Sequence, residues 1–373
     1  MGCDSCRQRE PEANFPFFKD LEKNPEKIQN FQEEFDKLLE QIGEYYDSDF
    51  NSLLPQNIQD YINNNNFQVK EEYYTDLEGI YVKPVKFKNG NIYEGGWNKK
   101  FNMEGKGKYF LKEENMFLEG IWKEGNLIYT RLFIITGEDF NLYEGEMKDS
   151  KFNGKGTYTT SSGRKYKGEF LNNEIIGKVE LTFEDSITTY EGPLEKYKLK
   201  GEGKMVWKNG YEYEGGFDDN KLSGHGILKG PNDEVYEGDF SNNLFSGNGK
   251  YTYQNGNTYE GQFSYGVKKG RGIYKCLGKF EYEGGWDNDL PSGIGKLSTW
   301  DKSGIIKSSW KYGKIMEEAV YEKGTKDDFE GIDFNFVTDE MMINIKDLTN
   351  LENVEIQTTQ YKLGTEPSFL DDE

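Results

Sequence analysis

Tyr236-Glu237-Gly238-Asp239-Phe240, followed by Gly247-Asn248-Gly249-Lys250-Tyr251 and closed by Asn255-Gly256, is one copy of a motif that fills the middle of the chain. Its Tyr-Glu-Gly signature, or a close variant, recurs with the glycine at positions 95, 120, 145, 168, 192, 215, 238, 261 and 284. The steps are 25, 25, 23, 24, 23, 23, 23 and 23 residues, a period typical of repeat arrays. Side chains alternate faces along a strand, so Tyr236, Gly238 and Phe240 share one face. Gly247, Gly249 and Tyr251 share a face on the return strand. Taking Ser241 to Ser246 as the turn sets Tyr236 opposite Tyr251, Gly238 opposite Gly249 and Phe240 opposite Gly247. Rings then lie over bare glycine backbone, which is otherwise a weak point in a strand. The other face sets Glu237 against Lys250, Glu94 against Lys108, Glu191 against Lys204 and Glu283 against Lys296. Such pairs contribute about 0.2–1 kcal/mol each and tune the fold without creating it. Asn89-Gly90, Asn209-Gly210 and Asn255-Gly256 are expected to make tight turns between hairpins, with positive φ at both residues.

The 373 residues carry 46 Lys+Arg and 67 Asp+Glu, a formal net charge of −21. Residues 1–80 and 313–373 each hold −11, while 81–312 hold 34 basic and 33 acidic side chains. The middle is electrically balanced and both flanks are acidic. So acidic a chain is a poor fit to nucleic acid, whose phosphates call for lysine and arginine. One histidine, His225, excludes histidine pairs, triads and multi-histidine metal sites, and three cysteines build no disulfide framework. No apolar run approaches the ~20 residues of a membrane span, and no secretory signal opens the sequence, so the expected location is cytoplasmic.

The pattern Tyr-x-Gly-x-Trp/Phe, then Gly-x-Gly-x-Tyr/Leu, then Gly, resembles the MORN (membrane occupation and recognition nexus) repeat over residues 81–312. The resemblance implies a mainly β fold, an elongated, twisted, single-layer antiparallel sheet of about nine stacked hairpins. It also implies scaffold roles of the kind filled by radial spoke head proteins in cilia, by division structures in protists and by junctional membrane proteins. Copies depart from the pattern. The second has Leu118 for tyrosine and Ile128 to Ile135 in place of Gly-x-Gly, the fourth has Val179 for a glycine, and the fifth has Pro193 in its first strand. Irregular copies mark a bend or a docking site; the bend is expected near residues 118–142, and Ile306 to Trp310 reads as a worn tenth copy.

The flanks divide into a terminal segment (1–23), a helical segment with linker (24–80) and an acidic tail (313–373). Asn24 reads as an N-cap with Pro25 at the first helical position, and Ile28, Phe31, Phe35, Leu38, Leu39 and Ile42 make an apolar stripe to about Tyr45. That helix is expected to cover the aromatic face of the first hairpins. Asn63 to Asn66 reads as a polar linker, and Thr338 to Leu348 as a short helix in the tail. Met1-Gly2-Cys3-Asp4-Ser5-Cys6 offers Gly2 for myristate and Cys3 and Cys6 for palmitate; two chains convert marginal membrane binding into stable anchoring. Gly-x-Gly-Lys at Gly105, Gly201, Gly247 and Gly293 lacks the spacing of a phosphate loop and follows from the hairpin repeat. His225 is expected to face solvent and Cys276 to pack in its strand.

No cofactor, metal or catalytic motif appears, so the expected function is a non-catalytic protein-binding scaffold in a ciliary, axonemal or other cytoskeletal assembly. The expected docking surface is the aromatic stripe Trp97, Trp122, Phe170, Phe217, Phe240, Phe263 and Trp286, which would receive a helix or an extended segment of a protein partner. The competing expectation is a membrane tether, held only through acylation at Gly2, Cys3 and Cys6.

Overall fold

The computed structural model describes residues 25–65, 67, 69, 73, 79–316, 319–329 and 332. Candidate residues Gly2, Cys3 and Cys6, the capping residue Asn24 and the segment 338–348 lie outside them. Within the described residues the fold is mainly β, an open antiparallel sheet of successive hairpins accompanied by two α-helices. The chain divides into two compact units. Among described residues, one holds 25–161 and 170–173 and the other 162–169 and 174–332.

The second unit is the regular one. Val235–Ser241 and Leu244–Thr252 pair with Tyr236 opposite Tyr251, Glu237 opposite Lys250 and Gly238 opposite Gly249, as the alternation requires. Beyond Gly238 the register shifts, and Phe240 faces Phe245, not Gly247. The cause is the turn. Asn242 and Asn243 both adopt left-handed φ, 50° and 65°, and close a two-residue hairpin whose twist matches the strands. The two surplus residues on the return strand, Gly247 and Asn248, are absorbed as a bulge, with Gly247 at φ of 58°, a conformation natural to glycine. The same left-handed pair occurs at Asp219-Asn220, Tyr265-Gly266, Asn288-Asp289 and Tyr312-Gly313. The Asn-Gly pairs at 89–90, 209–210 and 255–256 are of another kind, because only their glycines have positive φ. At Asn255-Gly256 the Gly256 N–H donates to Tyr253 O and the Tyr253 N–H to Asn257 O, a wider loop than the expected two-residue turn.

The second turn residue also ties its hairpin to the preceding one. Asn243 N–H donates to Leu222 O at 3.1 Å, and Leu222 N–H donates back to Asn243 Oδ1 at 2.6 Å. Asn220 repeats this with Leu199, and Asp289 with Lys268. Asn243→Ala removes the acceptor and replaces a residue that tolerates left-handed backbone with one that does not, for an expected loss of about 1–3 kcal/mol. Asn243→Gly keeps the backbone free and is expected to cost about half as much. Urea melts of the two variants check the order.

In the copy with Pro193 the first strand, Thr189–Glu195, is continuous, and the return strand splits into Lys198–Leu199 and Gly201–Val206, with Lys200 between them. Glu191 stands opposite Lys204, yet its carboxylate reaches Lys178 at 2.5 Å. The register is right there, and the ion pair forms on the other flank. The last copy keeps Ile305–Lys311 as a full strand, with a return of two residues, Lys314–Ile315.

In the first unit, α1 (Pro25–Ile42) ends three residues before the expected Tyr45. Gly43–Tyr45 leaves it as a strand paired with Val85–Phe87. A β-carbon on Gly43 would lie 2.0 Å from Lys86 O, so the switch from helix to strand needs glycine there. The expected linker at Asn63 is also corrected. Asn63 and Asn64 form the last turn of α2 (Gln56–Asn64), while Asn66 lies outside the described residues. A 3-10 turn at Phe50–Leu53, capped by Asp49 accepting from Asn51 N–H, leads into α2.

These two helices close opposite faces of the first hairpins. α1 takes the aromatic face, with Phe35 edge-on to Trp97 at 5.0 Å and Phe31 against Phe101 at 5.3 Å. Phe50, Leu54 and Ile58 take the other face, packing with Ile92, Phe117, Phe133, Ile135 and Leu142. The irregular second copy, Met116–Lys123 with Asn126–Thr136, is therefore a docking site for the chain's own N-terminal segment. Its run Leu132-Phe133-Ile134-Ile135 is buried on both faces, which leaves no room for the polar alternation of the other copies.

Candidate functional site

The repeated unit is built around its tyrosine. Tyr236 lies over the glycine pair so closely that a β-carbon on Gly249 would sit 2.5 Å from its hydroxyl oxygen. The hydroxyl passes beyond the glycines and donates to Asp239 O at 2.9 Å, three residues along. Tyr93, Tyr143, Tyr190, Tyr213, Tyr259 and Tyr282 make the same bond at 2.8–3.1 Å. Glycine is thus required for space. Burial pushes the phenols of Tyr190, Tyr213, Tyr236, Tyr259 and Tyr282 well above their ordinary value, because ionisation there would strand a charge among rings. Tyr166 is raised to about 12, burial outweighing the nearby Arg164.

The seven residues of the candidate stripe fall on this same face. In the second unit Phe217, Phe240, Phe263 and Trp286 alternate with the tyrosines in an unbroken edge-to-face series from Tyr190 to Trp310. Successive centroids lie 5.0–5.3 Å apart and the planes cross at 79–88°. This is the favoured geometry for ring quadrupoles, contributing about 0.5–1.5 kcal/mol per contact beyond area burial. In the first unit Trp97 and Trp122 flank Tyr93 at 5.3 Å, and Phe170 meets Tyr143 at 5.3 Å. All seven are only 2–3% exposed. Their rings are spent on the chain's own packing.

The residue after each turn helps to seal the face. Phe245 stacks on Tyr236 at 3.8 Å and Phe152 on Tyr143 at 3.7 Å. In the following copy the equivalent residue is Lys268, 1% exposed, and nothing in the sequence reading singled it out. Its ammonium donates to the Tyr253 hydroxyl at 2.8 Å and lies 5.4–5.9 Å from the rings of Tyr253, Tyr259, Tyr274 and Trp286. Such a box holds a cation through the negative faces of its rings. A lysine at the alignment position held elsewhere by Leu222 and Phe245 was the available signal.

The outer face is polar and accessible. Glu214, Glu237, Glu260 and Glu283 project from successive copies and are exposed. His225 is exposed, with Nδ1 3.4 Å from Asp239 Oδ1, and Cys276 is buried in its strand. In the first unit this face carries a second feature absent from the sequence reading, Arg131, which is 1% exposed. Its Nε and Nη2 both donate to Glu119 Oε2, Nε at 3.1 Å, and its Nη1 donates to Asn65 O. Tyr61, Phe67 and Phe133 surround the guanidinium at 5.4–5.9 Å. Among the described residues no cluster of His, Cys, Asp and Glu is grouped to hold a metal ion, and no helix is long and apolar enough to cross a membrane.

The MORN repeat family model matches six stretches of the chain, residues 143–163, 190–210, 213–235, 236–258, 259–276 and 282–299. No curated protein matches the sequence. Among solved structures, the wild-type TCP10 domain of Danio rerio CPAP is similar at 12% identity, covering 65% of this chain and 100% of that one, with a TM-score of 0.25. The SAS-4 (dCPAP) TCP domain of Drosophila melanogaster, in complex with a proline-rich motif of Ana2, is similar at 11% identity over 44% of this chain and 83% of that one, with a TM-score of 0.23. Likeness at these TM-scores carries no argument about function.

Proposed function

From the six matches to the MORN repeat model, we propose a non-catalytic scaffold that docks protein partners, working in a ciliary, axonemal or other cytoskeletal assembly. The observation that carries this reading is the constancy of the packing unit in the second unit of the chain. One tyrosine, two glycines and one left-handed turn recur at a nearly fixed step, so equivalent outer-face side chains recur at that step too. A surface of this kind suits an extended partner that reads several equivalent positions. The aromatic stripe, Trp97 through Trp286, supports such a surface from behind as its rigid backing, and the partner meets exposed side chains such as Glu214, Glu237 and Glu260. The assembly type rests on the repeat family's known company alone.

Affinity capture from cells with the wild-type chain and with Glu214→Lys/Glu237→Lys/Glu260→Lys tests this. These carboxylates are solvent-exposed, so a melting point within a few degrees of wild type is expected. Loss of the captured proteins from a folded variant supports outer-face docking, and an unchanged set refutes it. A membrane tether is the second reading, favoured by the closely spaced Gly2, Cys3 and Cys6. Intact mass of the native N-terminus decides it: myristate and palmitate support a tether, and a bare N-terminus rejects it.

A further inference from the structure

Where the eighth and ninth copies meet, the second unit departs from its own pattern at Lys268, Trp286 and Asp289. The residue after the turn, which seals the aromatic face, is Leu199, Leu222 and Phe245 in successive copies, all buried, and Lys268 in the next. The stripe residue beside it is Trp286, where the preceding copies hold Phe217, Phe240 and Phe263. The turn residue that ties back to it is Asp289, whereas Asn220 and Asn243 tie back to Leu199 and Leu222. Lysine, tryptophan and aspartate thus stand together where the other copies have an apolar residue, phenylalanine and asparagine.

Each replacement suits a buried positive charge. An ammonium is drawn to the negative face of an aromatic ring, most strongly to that of tryptophan. Lys268 Nζ lies 5.4 Å from the centroids of Trp286 and Tyr253, 5.6 Å from Tyr259 and 5.9 Å from Tyr274. It donates to the Tyr253 hydroxyl at 2.8 Å, and the equivalent positions in the flanking copies, Gly230 and Cys276, offer no hydroxyl. Asp289 Oδ1 accepts from the Lys268 backbone N–H at 2.8 Å. Burial and then the Asp289 charge raise the Tyr259 phenol, so this carboxylate stands within electrostatic reach of the box. An ammonium taken out of water needs such acceptors and a counter-charge, and here both are present.

We infer that the junction of these copies is a cation site in its own right, built for a primary alkylammonium and filled in the native chain by Lys268. The rings select the charge, the Tyr253 hydroxyl gives the ammonium an acceptor, and Asp289 balances it. Shortening Lys268 to alanine removes the propylammonium portion of the side chain and leaves the rest of the box standing. Free n-propylammonium is then the ligand that the vacated box takes.

Thermal melting of full-length Lys268→Ala tests the inference, with n-propylammonium chloride and, at matched ionic strength, 1-propanol as a neutral probe of the same shape. At about 100 mM, and after subtracting the effect of each on wild type, the ammonium is expected to raise the melting temperature by at least about 3 °C more than the alcohol. An alcohol that does as well as the ammonium overturns the inference, because a merely apolar hole takes both. A second reading does not depend on the alanine variant folding. Lys268→Leu and Asp289→Asn are each expected to lower the urea midpoint. The double variant Lys268→Leu/Asp289→Asn, which reproduces the pairing of Leu222 with Asn243, is expected to recover most of that loss. A double variant that loses the sum of the singles overturns the inference, as does a Lys268→Leu variant as stable as wild type.

Discussion

Raising the pH beyond 10 is expected to unfold the tyrosine-backed hairpins of the second unit in one steep, cooperative step. Tyr190, Tyr213, Tyr236, Tyr259 and Tyr282 all have phenols pushed upward by burial. A group whose folded value lies above its unfolded value favours the native state below the unfolded value, near 10 for tyrosine. That stability is lost as pH rises through the interval between the two. Each phenol held neutral there removes up to about 1.4 kcal/mol per pH unit. Five acting together reach roughly 7 kcal/mol per pH unit, comparable to the whole stability of an ordinary domain. The phenolate absorbance of these five buried rings is therefore expected to rise together with the loss of far-ultraviolet circular dichroism. Ionisation of these five phenols while the strands persist would show that the rings ionise without unfolding. The coupling has a structural cause: each ring touches its neighbours edge to face, so expelling one removes contacts from the next copy.

Much of that interior was legible in the sequence. Tyr236, Gly238, Gly249 and Tyr251 fall on one face by alternation alone, and their pairing follows from the need to seat a ring over glycine. The turn was harder to read. Six residues between Phe240 and Gly247 fit a plain six-residue loop as well as a two-residue turn with a bulge. The choice depends on Asn242 and Asn243 both taking left-handed backbone, a tertiary preference that asparagine permits without dictating. The stripe was found as a face, but its use was not. Burial of Phe240 depends on Phe245 and on the tyrosines of two copies, and a one-dimensional pattern does not show the seal. Arg131 was missed because an arginine in a strand ordinarily reads as a solvated side chain. The unbroken apolar run that follows it, Leu132 to Ile135, was the available hint that both faces of that copy are covered.

Arg131→Ala is expected to be the most damaging single substitution in the first unit, at about 3–5 kcal/mol, because it strands a buried partner. Glu119 is itself buried and receives both guanidinium bonds at one oxygen, while Asn65 O loses its donor at the end of α2. The damage is therefore expected on both sides of the interface. Helix α2 loosens from Phe117 and Phe133, and chymotrypsin cleavage in the segment 50–65, at residues such as Phe50 and Tyr61, accelerates relative to wild type. Replacing both members of the pair separates the charge from the packing. In Arg131→Met/Glu119→Leu neither charge is left unpaired and the apolar surroundings of Tyr61, Phe67 and Phe133 remain, so stability is expected to return to within about 1–2 kcal/mol of wild type. Thermal melts of the two single variants and the double close the cycle. If the double variant falls by the sum of the singles, the pair is no coupled unit, and α2 is held by Phe50, Leu54 and Ile58 alone. If it recovers, the ion pair adds little net stability of its own. Its role is then to fix which copy the N-terminal segment selects, since among the described copies only the second sets a buried glutamate opposite a buried arginine.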